Sequence, residues 1–234
     1  MPHTTLSAEG ARALGRLQLL AERREHDVLS HDRFLAAALP EIAAGLGCGR
    51  VSLWTYLPRD GGQRLRCEAL HDRRGVAIEL ARLAEADHPA YFAELDRSGI
   101  LCAADIQAHP ALATLRETYL RPNDIRSLLD VPFAANGRRI GLLCGEQPGA
   151  SIVWAPCQIA FMRRAGVVGS RLFHRLGCAD AGSHGELRPW APLRGHTRSG
   201  EPASGPADLD SAPGALDVTL PRRRVNDPAP SSPR

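Results

Sequence analysis

The chain of 234 residues contains no lysine, so all 29 of its basic side chains are arginine. A missing ε-amine excludes Schiff-base chemistry, the lysine of a phosphate-binding P-loop and the strand lysine of protein kinases. Long apolar runs are missing as well. No stretch approaches the roughly 18 consecutive apolar residues of a membrane span, and residues 1–10 lack the basic-then-apolar pattern of an export signal. The expectation is a cytoplasmic protein with no membrane partner. Strong charge of one sign is also absent: 29 basic against 26 acidic residues leave a net charge of +3. That is too little for a domain built to neutralise many phosphates, so no nucleic-acid partner is expected.

Metal and catalytic signatures are equally scarce. Cys48, Cys67, Cys102, Cys144, Cys157 and Cys178 form no C-x-x-C pair, and Cys67, Cys102 and Cys144 sit inside strand-like apolar runs. Buried thiols in a reducing compartment follow, rather than zinc or a redox couple. His71, His88 and His109 lie in different elements, and no two share the i, i+4 spacing of a helical metal site. G-x-S-x-G and H-E-x-x-H are absent. No catalytic residue, no metal ligand and no cofactor is therefore assigned, and the chain is not expected to be an enzyme.

What is present is 44% hydrophobic residues, enough for one good core. Their distribution divides the chain into a helix over 1–29, a dense domain over 30–177 and a Pro/Gly/Arg-rich tail over 178–234. The tail carries nine of the 18 prolines and no isoleucine. Such a composition cannot offset the entropy of ordering, so disorder is expected there. Leu14, Leu17, Ala21 and Val28 recur at helical spacing in an Arg- and Glu-rich setting, which predicts an exposed N-terminal helix. Phe34, Leu35, Ala38, Leu39, Ile42, Ala43 and Leu46 then mark an amphipathic helix that Pro40 should bend or divide.

Residues 50–57 are rich in β-branched and aromatic types and read as a strand. A turn over Pro58 to Gly62 leads into a partner strand over 64–71. A helix opens at Asp87-His88-Pro89 with Tyr91, Phe92 and Leu95 on one face and ends at Gly99. A short strand over 100–106 and a helix over 111–120 follow. The best-determined piece is a hairpin closed by Asn136-Gly137, which pairs residues whose numbers sum to 273. That register puts Leu129, Val131, Phe133, Ile140, Leu142 and Cys144 on one face, with Ser127 opposite Glu146 at its end. Leu128, Asp130, Gly141 and Gly145 fall on the reverse face, beneath a last helix over 156–176. Asp130, a carboxylate within an apolar strand, should be bonded to a helix terminus or an arginine.

The order of these elements, together with the phrases RVSLWTYL from Arg50, DHPAYF from Asp87, ADIQAHP from Ala104, SLLDVPF from Ser127 and NGRRIGLLCGE from Asn136, resembles the GAF domain. The similarity is to bacterial GAF sensors attached to histidine kinases and cyclases, and it covers about residues 30–177. It implies an α+β fold: a central antiparallel sheet with terminal helices on one face and, on the other, inserted helices over a small-molecule pocket. No output motif follows, so any signal would pass to a separate protein. No cysteine adjoins a histidine as in bilin-binding relatives. The strand cysteines are unlike the loop cysteines of the methionine-sulfoxide-reducing GAF enzymes.

The resemblance implies a regulatory sensor for a small molecule whose identity the sequence leaves open. The rival readings are a GAF-fold enzyme with a reactive pocket cysteine and a ligandless dimerisation unit. Candidate pocket residues are Trp54 and Cys144 on strands, Tyr91 and Tyr119 on the roofing helices, Asp105 at a strand end, and Ser127 with Glu146 in the hairpin. A homodimer is expected through the stripe Leu14, Leu17, Ala21 and Val28 and a second stripe of Met162, Gly166, Gly169 and Phe173.

Overall fold

The computed structural model describes residues 4–57, 62–75 and 82–180, with side chains described as far as residue 170. The tail expected to be disordered, most of the turn between the first two strands, and Phe173 as a contact residue lie outside what is described. In chain order the elements are α1 (Ala8–Glu25), α2 (His31–Leu46), β1 (Arg50–Tyr56), β2 (Arg64–Asp72), β3 (Arg82–Ala84), α3 (Pro89–Ser98), β4 (Leu101–Ala103), α4 (Ala113–Leu115), β5 (Ile125–Ala135), β6 (Arg138–Pro148) and α5 (Pro156–Asp180). A 3-10 turn (Pro110–Leu112) precedes α4 and a π-helical turn (Arg116–Leu120) extends it. The strands form one antiparallel sheet in the order β3-β2-β1-β6-β5-β4.

Alternation along the two central strands builds two cores. Val51 and Leu53 of β1 face α1, α2 and α5, while Arg50, Ser52 and Trp54 point to the opposite side. The helix-side core gathers Leu17, Phe34, Leu39, Leu46, Phe161 and Met162; the other gathers Tyr91, Phe92, Leu95, Leu112, Leu115 and Leu120 from the inserted helices. Each fully buried side chain of this size is worth about 1.5–3 kcal/mol in transfer free energy.

The N-terminal helix is not exposed. Ser7 caps α1 by accepting from the Gly10 N–H at 3.0 Å, and Gly10, Ala13, Leu17 and Ala21 are buried against α2 and α5. Gly45 of α2 permits this: a Cβ there would lie 2.5 Å from Phe161 Cζ and 2.6 Å from Ala13 Cβ. The expected dimer stripe on α5 is likewise internal. Met162 is wholly buried, and Cβ atoms at Gly166 and Gly169 would lie 3.3 and 3.7 Å from Phe133. Of the first stripe, Leu17 and Ala21 are consumed within the subunit while Val28 stays exposed, and of the second, Met162, Gly166 and Gly169 meet the subunit's own sheet and helices.

Pro40 neither ends nor divides α2, which runs uninterrupted with Pro40 inside it. Burial of Leu39, Ile42 and Ala43 around the missing N–H holds the helix against that local cost. β4 pairs over only three residues, because Asp105 begins a turn in which its Oδ1 accepts from the Gln107 N–H at 2.8 Å.

The hairpin register differs from the expectation in an informative way. Ala134↔Arg139 and Ala135↔Arg138 sum to 273 as the Asn136-Gly137 turn dictates, but an irregularity between Phe133 and Ala134 raises the sum to 274 from Phe133↔Gly141 through Ser127↔Gln147. A bulge of this kind moves the strand's remaining side chains to the other face. From Gly141 onward β6 keeps its expected orientation, with Gly141 and Gly145 toward the helices, but Ile140, expected beside Leu142, packs against the helix-side core. On β5, however, Leu129, Val131 and Phe133 join them there, while Leu128 and Asp130 turn to the inserted-helix side with Leu142, Cys144 and Glu146. The Phe133 ring covers Gly141, where any Cβ would collide with it.

A small cavity under the inserted helices

Between β1, β5 and β6 on one side and α3, α4 and the π-helical turn on the other lies a cavity. Its polar lining is Tyr91, Tyr119, Asp130, Cys144 and Glu146, with Trp54 beside them. Leu83, Leu115, Leu120, Leu128 and Leu142 complete the wall. The space left open to the centre of a water molecule is about 10 Å³, on the order of what a single water needs.

Five polar side chains from five elements meet here, and all but the half-buried Tyr119 are withdrawn from solvent. Arg50 of β1 and Glu146 of β6 face each other in register, with Arg50 Nε 2.8 Å from Glu146 Oε2. The N–H is not aimed at that oxygen, so the contact is an ion pair without an aligned hydrogen bond. Arg50 Nη2 donates to the Tyr119 hydroxyl at 2.9 Å, and the guanidinium lies 5.5 Å from the Tyr119 ring centroid. Tyr119 in turn stands edge-on to Trp54, with ring centroids 6.4 Å apart. On the α3 side, Tyr91 donates its hydroxyl to Asp130 Oδ2 at 2.6 Å.

The remaining atoms of this set have no hydrogen-bond partner in the protein: Asp130 Oδ1, both Glu146 oxygens, and Arg50 Nε and Nη1. Native interiors rarely leave such groups unmet. Burial pushes the Asp130 carboxyl up to about 7, and the charge of Glu146 adds to the rise while the Tyr91 hydroxyl opposes it. Burial raises Glu146 as well, with Arg50 pulling the other way. The Cys144 thiol is pushed well above its ordinary value by the same burial and by the two carboxylates.

Of the residues expected at the pocket, Trp54, Tyr91, Tyr119, Cys144 and Glu146 surround this cavity. Asp105 does not: it is exposed, and its carboxylate is engaged in its own turn. Ser127 does not either. It faces the helix side, donating to the Ala104 carbonyl at 2.6 Å and accepting from the Ile152 N–H at 2.7 Å, which ties the chain after β6 to the chain after β4. Its displacement follows from the register shift, which pairs it with Gln147 and puts Leu128 opposite Glu146. Two residues not expected at the site are central to it. Asp130 was placed beneath the last helix by the wrong strand phase, and its charge in an apolar strand was the signal. Arg50, the first residue of β1, gave no signal beyond being a charge at the edge of an apolar run. Among the described residues, no cluster of three or more His, Cys, Asp or Glu side chains could hold a metal ion.

The domain is an α+β fold whose sheet carries sequence-terminal helices on one face and inserted helices over a small cavity on the other. The GAF domain family model matches residues 30–167, and the chain belongs to that family. Solved structures agree on the fold. The phycocyanobilin-bound GAF domain from a cyanobacterial phytochrome is 17% identical, with a TM-score of 0.57, over 77% of this chain and all of that one. The GAF domain from an Acinetobacter phosphoenolpyruvate-protein phosphotransferase is 16% identical, with a TM-score of 0.57, over 78% of this chain and 99% of that one. The free methionine-R-sulfoxide reductase from Neisseria meningitidis, solved with its substrate, is 15% identical, with a TM-score of 0.56, over 76% of this chain and 97% of that one. A search of curated protein sequences gives no match.

Proposed function

We propose that the chain is a non-catalytic sensory module that binds a small molecule in the cavity between its sheet and inserted helices and passes the signal through α1 and α5 to a separate protein. The observation that carries this reading is the set of buried polar atoms without protein partners, concentrated where the family places ligands. Structural networks are normally closed, whereas a binding site keeps capacity in reserve for its ligand. Trp54 and Tyr119, the strand floor and the π-helical roof, would contact the ligand's body. The cavity has room for about one water, so a larger ligand would have to part the inserted helices from the sheet.

The reductase fold among the similar structures raises an enzymatic reading, but the cysteines weigh against it. A nucleophilic cysteine needs a low thiol pKa, and burial drives Cys48 up to about 11 and Cys67 up to about 12 and raises Cys144 well above its ordinary value. The five described cysteines are free, in keeping with a cytoplasmic setting. If the protein is a homodimer, its interface would use the outer faces of α1 and α5, where Leu19 and Val167 are exposed, rather than the internal stripes.

Native mass spectrometry and an absorption spectrum of the full chain, purified without denaturation, test the proposal. A stoichiometric adduct that is released on unfolding is expected. A bare chain that also fails to bind any member of a metabolite library would overturn it.

A further inference from the structure

We infer that the cavity selects a small organic cation, an ammonium, amidinium or guanidinium head on an apolar body, received between the Asp130 and Glu146 carboxylates. The inference rests on the sensory reading and names the chemistry of its ligand. The argument is one of matching donors to acceptors. Asp130 and Glu146 both line the cavity, are 1% and 0% exposed, and between them leave three carboxylate oxygens without a hydrogen-bond donor. The cation beside the cavity among the described residues, Arg50, stands 2.8 Å from Glu146 and does not line it. Its charge is matched by that contact, which leaves Asp130 as the unbalanced carboxylate.

The two carboxylates lie on one face of the hairpin. Asp130 pairs with Cys144, and Glu146 is two residues further along β6, a diagonal relation of roughly 7–8 Å between backbone positions. A head with two or more N–H donors can reach both sides of such a gap, which a single-point donor cannot. The rest of the lining suits a cation with an apolar body. Trp54, Tyr91 and Tyr119 offer aromatic surfaces that attract a desolvated positive charge, and leucines form the remaining wall. An anion entering here would meet two carboxylates in the lining, while the nearby Arg50 stands outside it and is already ion-paired with Glu146. A single buried water is the competing occupant, and it has two donors for three waiting oxygens.

The full chain is titrated by thermal unfolding with four probes paired by shape: methylguanidinium and benzamidine as cations, acetate and benzoate as anions, at matched ionic strength. The inference expects a concentration-dependent rise in the unfolding midpoint with at least one cation and none with its anionic counterpart. Asp130→Asn should weaken the apparent affinity for that cation about tenfold or more, as loss of a charged hydrogen bond does. Cation binding that is unchanged in Asp130→Asn would overturn the inference. So would a preference for acetate or benzoate, which would leave the sensory reading standing. The cation-against-anion comparison needs no variant, so it decides the charge preference even if Asp130→Asn does not fold. If no probe moves the midpoint, the molecule retained in native mass spectrometry decides: a cation supports the inference, and an anion or neutral molecule overturns it. With no probe effect and no retained molecule, this inference and the sensory reading fall together.

Discussion

Tyr91 donates its hydroxyl to Asp130 across 2.6 Å of closed interior, joining the first inserted helix to the middle of β5. The bond goes to a carboxylate that is 1% exposed, whose other oxygen, Oδ1, has no well-aligned donor. The same contact therefore fixes α3 to the sheet and leaves acceptor capacity turned to the cavity.

The first prediction concerns pH. Because the carboxyl is raised to about 7 in the fold, the folded chain holds a proton that the unfolded chain releases from about pH 4 upward. Stability from this group is fully present below the unfolded value and is lost as pH rises toward and through 7. Asp130→Asn keeps an acceptor for Tyr91 and removes the titration. It should therefore gain on the natural protein by on the order of 1–4 kcal/mol between pH 5 and pH 8. Urea midpoints of both proteins at the two pH values check this, and a parallel response would refute it.

A second prediction addresses the three-helix contact. Alanine is the better helix former by about 1 kcal/mol, yet a Cβ at Gly45 would be 2.5 Å from Phe161 and 2.6 Å from Ala13. Overpacking should win, and Gly45→Ala should lose about 1–3 kcal/mol in chemical denaturation.

The Arg50–Glu146 pair should show strong coupling. Glu146→Leu strands a guanidinium that is 0% exposed and should cost about 3–5 kcal/mol. Adding Arg50→Leu removes the stranded charge and should recover most of that loss. A double-mutant cycle in urea measures the coupling, and additive losses would show that the two side chains act independently.

Thiol labelling should divide the cysteines by position. Cys102 on the outer strand β4 is exposed, whereas Cys48, Cys67 and Cys144 are buried. Iodoacetamide at pH 8 should modify Cys102 well before these three, with the order read by peptide mass spectrometry. Prompt labelling of Cys144 would reopen the reactive-cysteine reading.

The elements of the domain were legible because helical and strand periods are carried by many residues at once. The stripe from Phe34 to Leu46 and the Asn136-Gly137 turn both appear where the pattern puts them. The strand phase was not legible, because a bulge depends on packing. Whether Phe133 pairs with Ile140 or slides to lie over Gly141 is decided by the room that Gly141, Gly166 and Gly169 leave for its ring, and those residues converge only in the fold. Asp130 and Ser127 changed faces with it. The burial of α1 was hidden for a related reason. Its apolar stripe is narrow and rich in alanine, and only Gly45 on the facing helix shows how close the two can come. The short strand β3 has three residues and no periodic pattern, so nothing in the sequence marks it.

Strand β6 is a partition one backbone thick. Leu142, Cys144 and Glu146 look into the cavity, while Gly141, Leu143 and Gly145 look toward the helices. At Gly145 no side chain intervenes: Leu46 of α2 rests directly on the strand, and Met162 of α5 would be 3.6 Å from a Cβ placed there. Cys144 and Glu146, its immediate neighbours, are cavity wall. Any guest that displaced the wall would press on α2 and α5 with no compliant layer between. The partition acts as a stiff diaphragm rather than a lever, and the motion reaching the outer helices would be small in amplitude and almost undiminished in force.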